Sequence, residues 1–267
     1  MSAELFSRIR SRLRVLVSVP YTLARRIIML TGVVVWLMFA SLFFYSYQLL
    51  QQLPPIENIS FDQAKVQGEE ISSTHWASLK DVNRDLIYAI ILSEDSHFFS
   101  HAGIDYDALI AALASNIKNK EWRFGASTIS QQTVKNLYLT QQKTLSRKLQ
   151  ELILTHRLEN KLSKNEILEL YLNIIEFGPD LYGIHDASLY YFNKTPKEVN
   201  AAEGAYLALL MPSPRKYHYT LYQNGNWSPA LSKKHQRIIR DMRFKELISN
   251  SQYEDYKKWK YDKKNYF

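Results

Sequence analysis

A long uncharged stretch near the N-terminus constrains this chain more than any other feature. No charged residue occurs between Arg26 and Glu57, and residues 27–45 read IIMLTGVVVWLMFASLFFY. About 20 apolar residues suffice for a helix to cross the hydrocarbon core of a membrane, which is about 30 Å thick. The stretch therefore predicts one transmembrane helix, and the rest of the chain must fold beside a membrane.

Two interpretations of this helix differ in whether it is removed after targeting. A cleavable signal peptide has an apolar region of about 7–15 residues, shorter than this one. Phe39-Ala40-Ser41 is also a poor cleavage site, so an uncleaved signal-anchor is favoured. The arginines before the helix place the N-terminus in the cytoplasm and everything after Leu50 on the other side of the membrane.

Positive charge is concentrated at the two ends of the chain. Residues 1–26 contain six arginines against one acid, and residues 232–267 contain eleven basic residues against five acids. The 205 residues between them hold 17 basic and 20 acidic side chains, a net charge of −3, although the whole chain carries +8. Such ends suit an anionic lipid surface, and this distribution argues against nucleic acid as a partner.

After a stalk over residues 51–80, the sequence predicts one helix after another. Apolar residues recur at helical spacing over residues 81–98, 105–118, 128–139 and 144–162. Capping boxes predict further helix starts at Ser163 and Thr195, and Ser228-Pro229 predicts the start of the last helix. The prediction is a mostly α protein in five segments: a basic N-terminus (1–26), a transmembrane signal-anchor (27–50), the stalk (51–80), a helical domain (81–220) and a basic helical extension (221–267).

The first segment that carries chemistry is SEDSHFFSHAG, residues 93–103. Glu94 lies four residues after Ile90, and so on or near the apolar face of its helix. A carboxylate held there, partly away from water, suits a general base. The alternative is that Glu94 and Asp95 form an ordinary solvated helix end, and the segment alone does not decide.

The second segment is GASTISQQTVKNLYL, residues 125–139. Ser127 and Thr128 are expected to expose hydroxyls at a helix N-terminus, with Ser127 as the N-cap, and helix N-termini bind anions. Gln132 and Lys135 lie one turn apart on the side of Thr128. This face suits a phosphate, and a capped helix with a polar outer face is the alternative.

The third segment spans residues 146–173 and contains Arg147 and Glu151, four residues apart. Alone, this spacing predicts an ordinary surface ion pair, typically worth under about 1 kcal/mol. No His-Glu-x-x-His or paired-histidine spacing points to zinc.

In this order, the three segments resemble the family 51 glycosyltransferases, the peptidoglycan polymerases of bacterial cell walls. The resemblance covers about residues 75–220, and Ala126 departs from it where many members carry a second glycine. Lys161-Leu162 also replaces a commoner aromatic. Five family patterns have counterparts here: Glu94-Asp95 with Phe98 and His101-Ala102-Gly103, Gly125 to Asn136, Arg147-Lys148 with Glu151, Ile167–Asn173 with Phe177-Gly178 and Tyr182-Gly183, and Leu207–Tyr217.

The resemblance implies a lysozyme-like helical fold and a set of site residues. Glu94 would be the catalytic base, and Glu151 a second catalytic carboxylate that positions Arg147 or holds a divalent cation. Phe98 and Phe99 would pack beneath the cleft, Asp95 would hold the turn, and His101 would brace it. The implied substrate-binding set is Phe98, His101, Lys120, Ser127, Thr128, Gln132, Lys135, Asn136, Arg147 and Lys148.

The reaction implied is polymerisation of lipid II, a disaccharide-pentapeptide on undecaprenyl pyrophosphate. Glu94 would deprotonate the GlcNAc 4-hydroxyl of the acceptor, which attacks the terminal MurNAc of the growing chain with inversion from α to β. Lys135 and Arg147 would stabilise the departing pyrophosphate. No cofactor is obligatory, with Mg²⁺ or Mn²⁺ as an optional ion, and the inhibitor moenomycin would bind the same cleft.

The resemblance further implies a monofunctional enzyme of the bacterial inner membrane with a periplasmic catalytic domain. About 50 residues follow Tyr217, and the sequence has no Lys-Thr-Gly or Lys-Ser-Gly. Ser115-Asn116-Ile117-Lys118 matches Ser-x-x-Lys without its partner motifs, which we interpret as chance. Expected partners are lipid II, the nascent glycan strand, the membrane and other cell-wall synthesis proteins, and no transpeptidase activity is expected.

Two other functions fit a helical domain of this kind. A glycan-cleaving hydrolase or lytic enzyme would need an arrangement that activates water, in place of a pyrophosphate site at Lys135 and Arg147. A catalytically silent anchor that recruits wall-building proteins need not keep Glu94, Lys135, Arg147 and Glu151.

Overall fold

The structure is a computed structural model, and its described part divides into two compact units, one ending at Leu53 and the other beginning at Pro54. Lys120, Gly125 and the arginines of residues 8–14, which the sequence analysis singled out, lie outside the described residues. The described residues are 21–51, 53, 54, 56, 65, 66, 69, 70, 76–119, 127–140, 142 and 144–267.

The first unit is dominated by helix α1, Tyr21–Gln51. Within it, Leu23–Gln48 has a mean hydropathy of 2.5, and none of that window is buried inside the protein. The length of 26 residues exceeds the roughly 20 that a membrane span requires. The predicted single apolar N-terminal helix is therefore present, and it has the length and composition of a membrane anchor.

The second unit is built from ten α-helices among its described residues, with two short antiparallel hairpins, so the predicted mostly α class is confirmed. The helices are α2 (Arg84–Glu94), α3 (Tyr106–Asn119), α4 (Ile129–Tyr138), α5 (Leu145–Lys161), α6 (Lys164–Ile174), α7 (Ile184–Phe192), α8 (Ala201–Leu210), α9 (Pro214–Tyr217), α10 (Pro229–Phe244) and α11 (Asn250–Tyr256). The strands pair as β1 (Lys65–Val66) with β2 (Glu69–Glu70), and β3 (Glu176–Gly178) with β4 (Leu181–Tyr182). Short 3-10 helices form at Leu79–Asp81 and Lys263–Asn265, and a short π-helix forms at His218–Gln223.

Local capping signals decide where several of these helices begin. Ser163 and Ser228 cap α6 and α10 as expected. The prediction that Ser228 starts the last helix is wrong, because Ser249 caps a further helix, α11. Thr195 forms its predicted hydrogen bonds with Glu198, but these residues form only a turn. The next helix, α8, starts after Asn200, whose side chain accepts from the backbone N–H groups of residues 202 and 203. The prediction of a helix starting at Thr195 is therefore wrong, because a better cap follows five residues later.

Helix α8 is the centre of the core, since all ten of its residues are buried. Helix α2 packs against α8, and α10 packs against both of them. Helices α4, α5 and α6 form a second group, in which α4 contacts the other two. The site described below lies where the end of α2 meets α4, and its position therefore depends on how closely α2 approaches α8.

Gly204 lets α2 and α8 approach at backbone distance. A Cβ atom added there would lie 2.9 Å from Leu86 Cα and 3.2 Å from Ala89 Cβ. We expect Gly204→Ala to destabilise the fold by about 1–3 kcal/mol, because overpacking outweighs the helix propensity gained by alanine. The measurement is the midpoint of chemical denaturation, and a midpoint equal to or above that of the wild type would contradict this close packing.

The C-terminal segment holds α10 firmly against the core. His235 Nε2 donates to the carbonyl oxygen of Ala202 at 3.0 Å, and the His235 ring stacks on Trp259 with centroids 5.5 Å apart. Further along, Tyr261 stacks on Tyr206 of α8 at 4.7 Å. These contacts fix the rotation of α10 about its axis, which decides which of its many basic residues face the site.

Candidate active site

Glu94 is the last residue of α2, and its carboxylate lies in a cleft with a side chain only 13% exposed. One carboxylate oxygen accepts from Ser93 Oγ at 3.0 Å, and the other lies 3.4 Å from Gln132 Nε2. Tyr171 donates to the amide oxygen of Gln132 at 3.1 Å, which orients the amide. The helix was predicted to continue to Phe98; it stops at Glu94 because Asp95 adopts an extended φ of −160°.

Asp95 ties the loop after α2 to the start of α4. One of its carboxylate oxygens accepts from the backbone N–H of Ile129 at 2.9 Å, and both lie within 3.1 Å of His101 Nε2. Gly103 closes the loop with a φ of +87°, and a Cβ there would lie 2.8 Å from Thr155 Cγ2. The two adjacent acids thus have separate tasks: Glu94 faces the cleft and Asp95 holds the backbone behind it.

The N-terminus of α4 reaches the same cleft. Thr128 is the N-cap, not Ser127 as predicted, and its buried hydroxyl donates to the carbonyl oxygen of Gly103 at 2.6 Å. The expectation that Thr128 exposes its hydroxyl is therefore wrong, because the cap and the loop use both its donor and its acceptor. Ser127 remains exposed.

A cation cluster surrounds Glu151, whose side chain is 3% exposed. Arg147 and Lys148 each donate to one of its carboxylate oxygens. Burial lowers the pKa of Lys135, and the charge of Glu151 opposes this shift, which places Lys135 within the electrostatic reach of the same carboxylate. Two cations therefore contact one buried anion and a third lies within its electrostatic reach, so this is not the isolated surface pair that the spacing alone suggested.

Helix α10 adds a residue that the sequence analysis did not single out. Lys234 Nζ lies 3.6 Å from a carboxylate oxygen of Glu94 and donates to the carbonyl oxygen of Ala208 at 3.4 Å. Burial lowers the pKa of Lys234, and the charge of Glu94 opposes the shift. Lys234 is one of eleven basic residues in residues 232–267, and the sequence does not distinguish it from the others. Which of them faces Glu94 depends on the rotation of α10 relative to α2.

Two cavities lie on residues of the Glu94–Gln132 contact. The Lys135 cavity has a volume of about 220 Å³ and is lined by Gln132, Lys135, Asn136 and seven residues of the β3–β4 and α9 region. The Glu94 cavity has a volume of about 510 Å³. It is lined by Leu92, Ser93, Glu94, Asp95, Ser96, Asp105, Ala108, Ser127, Thr128, Arg237, Asp241, Phe244 and Lys245. Gln132 lines the Lys135 cavity and contacts Glu94, which lines the other, so this contact connects the residues of the two cavities.

Not every expected site residue reaches the cleft surface. Phe98 is fully buried, and its ring packs edge-on against the rings of Phe99 and His101. The side chain of His101 is 9% exposed and is occupied with Asp95. Both residues support the loop from behind, whereas Phe99, expected beside them, is 51% exposed.

The carboxylates with the chemistry to coordinate a cation at this site already have protein partners. Among the described residues, Asp95, His101 and Asp105 bring ligand atoms within 4.8 Å of one another. Asp105 caps α3 by accepting from Ala108 N–H at 2.8 Å, and its other oxygen lies 2.9 Å from His97 Nδ1. The carboxylate of Glu151 is likewise occupied, by Arg147 and Lys148. This arrangement suits positioning of Arg147 better than direct binding of a metal ion.

Comparison with known proteins decides the class of this site. A family model described as Transglycosylase matches residues 62–243, well over half of the chain. The chain belongs to the transglycosylase family. Membership confirms the resemblance drawn from the five motifs and the predicted enzyme class, a glycosyltransferase. The match extends through most of α10, the helix that carries Lys234.

Three similar proteins are each named biosynthetic peptidoglycan transglycosylase. The protein from Pasteurella multocida is 38% identical over 211 residues, which is 77% of this chain and 83% of that protein. The protein from Mannheimia succiniciproducens is 39% identical over 204 residues, 76% and 78% of the two chains. The protein from Nitrosospira multiformis is 42% identical over 166 residues, 62% and 70% of the two chains.

Proposed function

We propose that this transglycosylase polymerises lipid II into peptidoglycan glycan strands and does not cross-link them. The observation that carries the proposal is the largely buried carboxylate of Glu94 in one site with the cations Lys135, Arg147 and Lys148, in a chain of this family. A base next to a cationic, partly desolvated site matches a reaction in which a hydroxyl loses a proton while a pyrophosphate departs.

In the proposed reaction, Glu94 takes the proton from the GlcNAc 4-hydroxyl of the acceptor lipid II. The bond between that oxygen and the anomeric carbon forms as the bond to the pyrophosphate breaks, and the configuration inverts. Gln132, held by Tyr171, positions the carboxylate of Glu94. The proton thus remains on Glu94 until solvent removes it.

The departing undecaprenyl pyrophosphate is stabilised by Lys135 and Arg147. Arg147 is aligned by Glu151, and its guanidinium offers two donors to phosphate oxygens. Lys148 shares the carboxylate of Glu151, so that charge is distributed between two cations and neither is fully neutralised. Glu151 therefore acts through Arg147 in this proposal.

The proposed setting is the bacterial inner membrane, with α1 as a single-pass anchor, the N-terminus in the cytoplasm and the catalytic domain in the periplasm. The apolar length of α1 supports anchoring. An anchored enzyme meets its lipid-linked substrate on the same surface. The proposal needs no obligatory cofactor, and polymerisation in EDTA, with and without added Mg²⁺ or Mn²⁺, tests that point.

The decisive experiment is incubation of the detergent-purified full chain with labelled lipid II. The expected product is a polymer that muramidase degrades and that contains no peptide cross-links. Release of soluble fragments from preformed glycan would instead support a hydrolase or lytic enzyme. Absence of both reactions, with intact binding to cell-wall synthesis proteins, would support a silent anchor.

The alkaline limit of activity should lie at a lower pH than ordinary lysines would set. Burial lowers the pKa of Lys135 and of Lys234 from the ordinary 10.5, so each loses its proton at a lower pH. Lys135 is proposed to stabilise the pyrophosphate as a cation, and the positive charge of Lys234 lies 3.6 Å from the carboxylate of Glu94. If both charges support the reaction, kcat/KM should fall as the pH rises through these lowered values. Replacing either lysine with arginine, which stays charged, should move the limb to higher pH.

The pH profile of kcat/KM for lipid II provides the measurement. Lys118→Arg, at an exposed position of α3, is the matched control and should leave the limb unchanged. An alkaline limb at the same pH in the wild type and in both site variants would show that neither lysine sets it.

A further inference from the structure

Phe244 is placed unusually for an aromatic side chain. It is 87% exposed at the end of α10, although Met242, two residues earlier, is fully buried. Single exposed aromatic residues are common on protein surfaces, so exposure alone carries no function. Phe244 differs from the others because it lines the same cavity as Glu94.

The chemistry of the Glu94 cavity favours a carbohydrate. Ten of its thirteen lining residues are polar, and only Leu92, Ala108 and Phe244 are apolar. Sugar hydroxyls need donors and acceptors around the ring, and the wall supplies both from Ser93, Ser96, Asp241 and Lys245, among others. A hydrocarbon chain would leave these groups without partners, at a cost for each one buried.

An aromatic face complements the remaining surface of a sugar. The axial C–H bonds of a pyranose carry partial positive charge, and the face of a phenyl ring is negative. Phe244 is also held on a rigid element, since His235 and Lys234 fix α10 to α8 through the carbonyl oxygens of Ala202 and Ala208. Because the backbone of this helix is already fixed, binding needs to order only the side chain of Phe244.

We propose that Phe244 is the platform on which a pyranose ring of the acceptor stacks, with the polar wall of the Glu94 cavity binding its hydroxyls. This rests on the proposed function and extends it. The acceptor is assigned to this cavity because the Lys135 cavity, on the other side of Gln132, contains the lysine that meets the leaving group. The acceptor hydroxyl then enters from the side of Glu94 that is opposite to the departing phosphate.

The test is steady-state kinetics with lipid II for a graded series at one position. Phe244→Ala should raise KM about three- to tenfold with a smaller change in kcat, which is the range that one aromatic contact supplies. Phe244→Tyr and Phe244→Trp should keep KM near that of the wild type. Phe244→Leu should behave like alanine, because leucine supplies apolar area but no aromatic face.

Phe267→Ala is the matched control, since Phe267 is 63% exposed and does not line the cavity. Because Phe244 is so exposed, all variants should keep the wild-type melting temperature. Rescue by leucine would overturn the sugar platform in favour of contact with the prenyl chain. Unchanged KM in Phe244→Ala would overturn any role, whereas failure of the proposed function would appear separately, as a wild-type protein that makes no polymer.

Discussion

Replacing Glu94 with glutamine should abolish polymerisation and leave the fold intact. Glutamine keeps the size of the side chain and can still meet Ser93 and Gln132, but it cannot accept the proton of the acceptor hydroxyl. Loss of a general base typically costs about 10²–10⁴ in rate. The measurement is the initial rate of lipid II turnover, together with the melting temperature.

Glu254→Gln is the matched control for this change. Glu254 is 57% exposed and pairs only with Lys257 among the contacts the structure gives it, so neither rate nor stability should change appreciably. If Glu94→Gln retained more than a tenth of the wild-type rate, Glu94 would not be the base, and the solvated helix end would remain as its explanation.

Removal of Lys135 or Arg147 should act mainly on the chemical step. Both are proposed to meet a pyrophosphate whose charge grows as the glycosidic bond breaks, so their contribution is larger in the transition state than in the bound substrate. We expect Lys135→Ala and Arg147→Ala to lower kcat by about 10²–10³ and to raise KM by less. Single-turnover kinetics with lipid II separate the two effects.

Two further variants sharpen this prediction. Arg147→Lys should rescue incompletely, because an ammonium cannot replace a guanidinium fork on phosphate oxygens. Lys257→Ala, which removes an ordinary ion pair with Glu254, should leave the kinetics unchanged. Moenomycin, a phosphoglycolipid, should bind both alanine variants more weakly; wild-type kinetics and unchanged moenomycin affinity in both would indicate only a structural ion pair.

The sequence was sufficient for the helical elements whose signals are local. The 26-residue apolar window, the caps at Ser163 and Ser228, and the periodicity of α3 and α5 each depend on neighbours within a few residues. At Thr195 a local signal gave the wrong helix start, because the stronger cap at Asn200, whose side chain accepts from two backbone N–H groups, was not weighed against it.

The family motifs located the residues of the site but not all of their contacts. Arg147 and Glu151 were expected to interact, since their spacing fixes their distance on one helix. The motifs did not show that Lys148 contacts the same buried carboxylate. They also did not show that the Thr128 hydroxyl donates to the carbonyl oxygen of Gly103, because that contact joins residues 25 positions apart. The family resemblance placed Phe99 beneath the cleft, and only the packing of the domain showed that it is exposed.

By itself, then, the sequence determined an apolar helix long enough for a membrane, a mostly helical domain and membership of a glycosyltransferase family, because periodicity, hydropathy and ordered motifs are properties of short segments. Only the tertiary structure decided that helix α10 completes the cleft. Lys234 and Phe244 lie 140 and 150 positions beyond Glu94 along the chain, and the buried face of α10, fixed by His235 against α8, selects them from a basic segment of similar residues. Long-range packing sets that choice, and no local pattern encodes it.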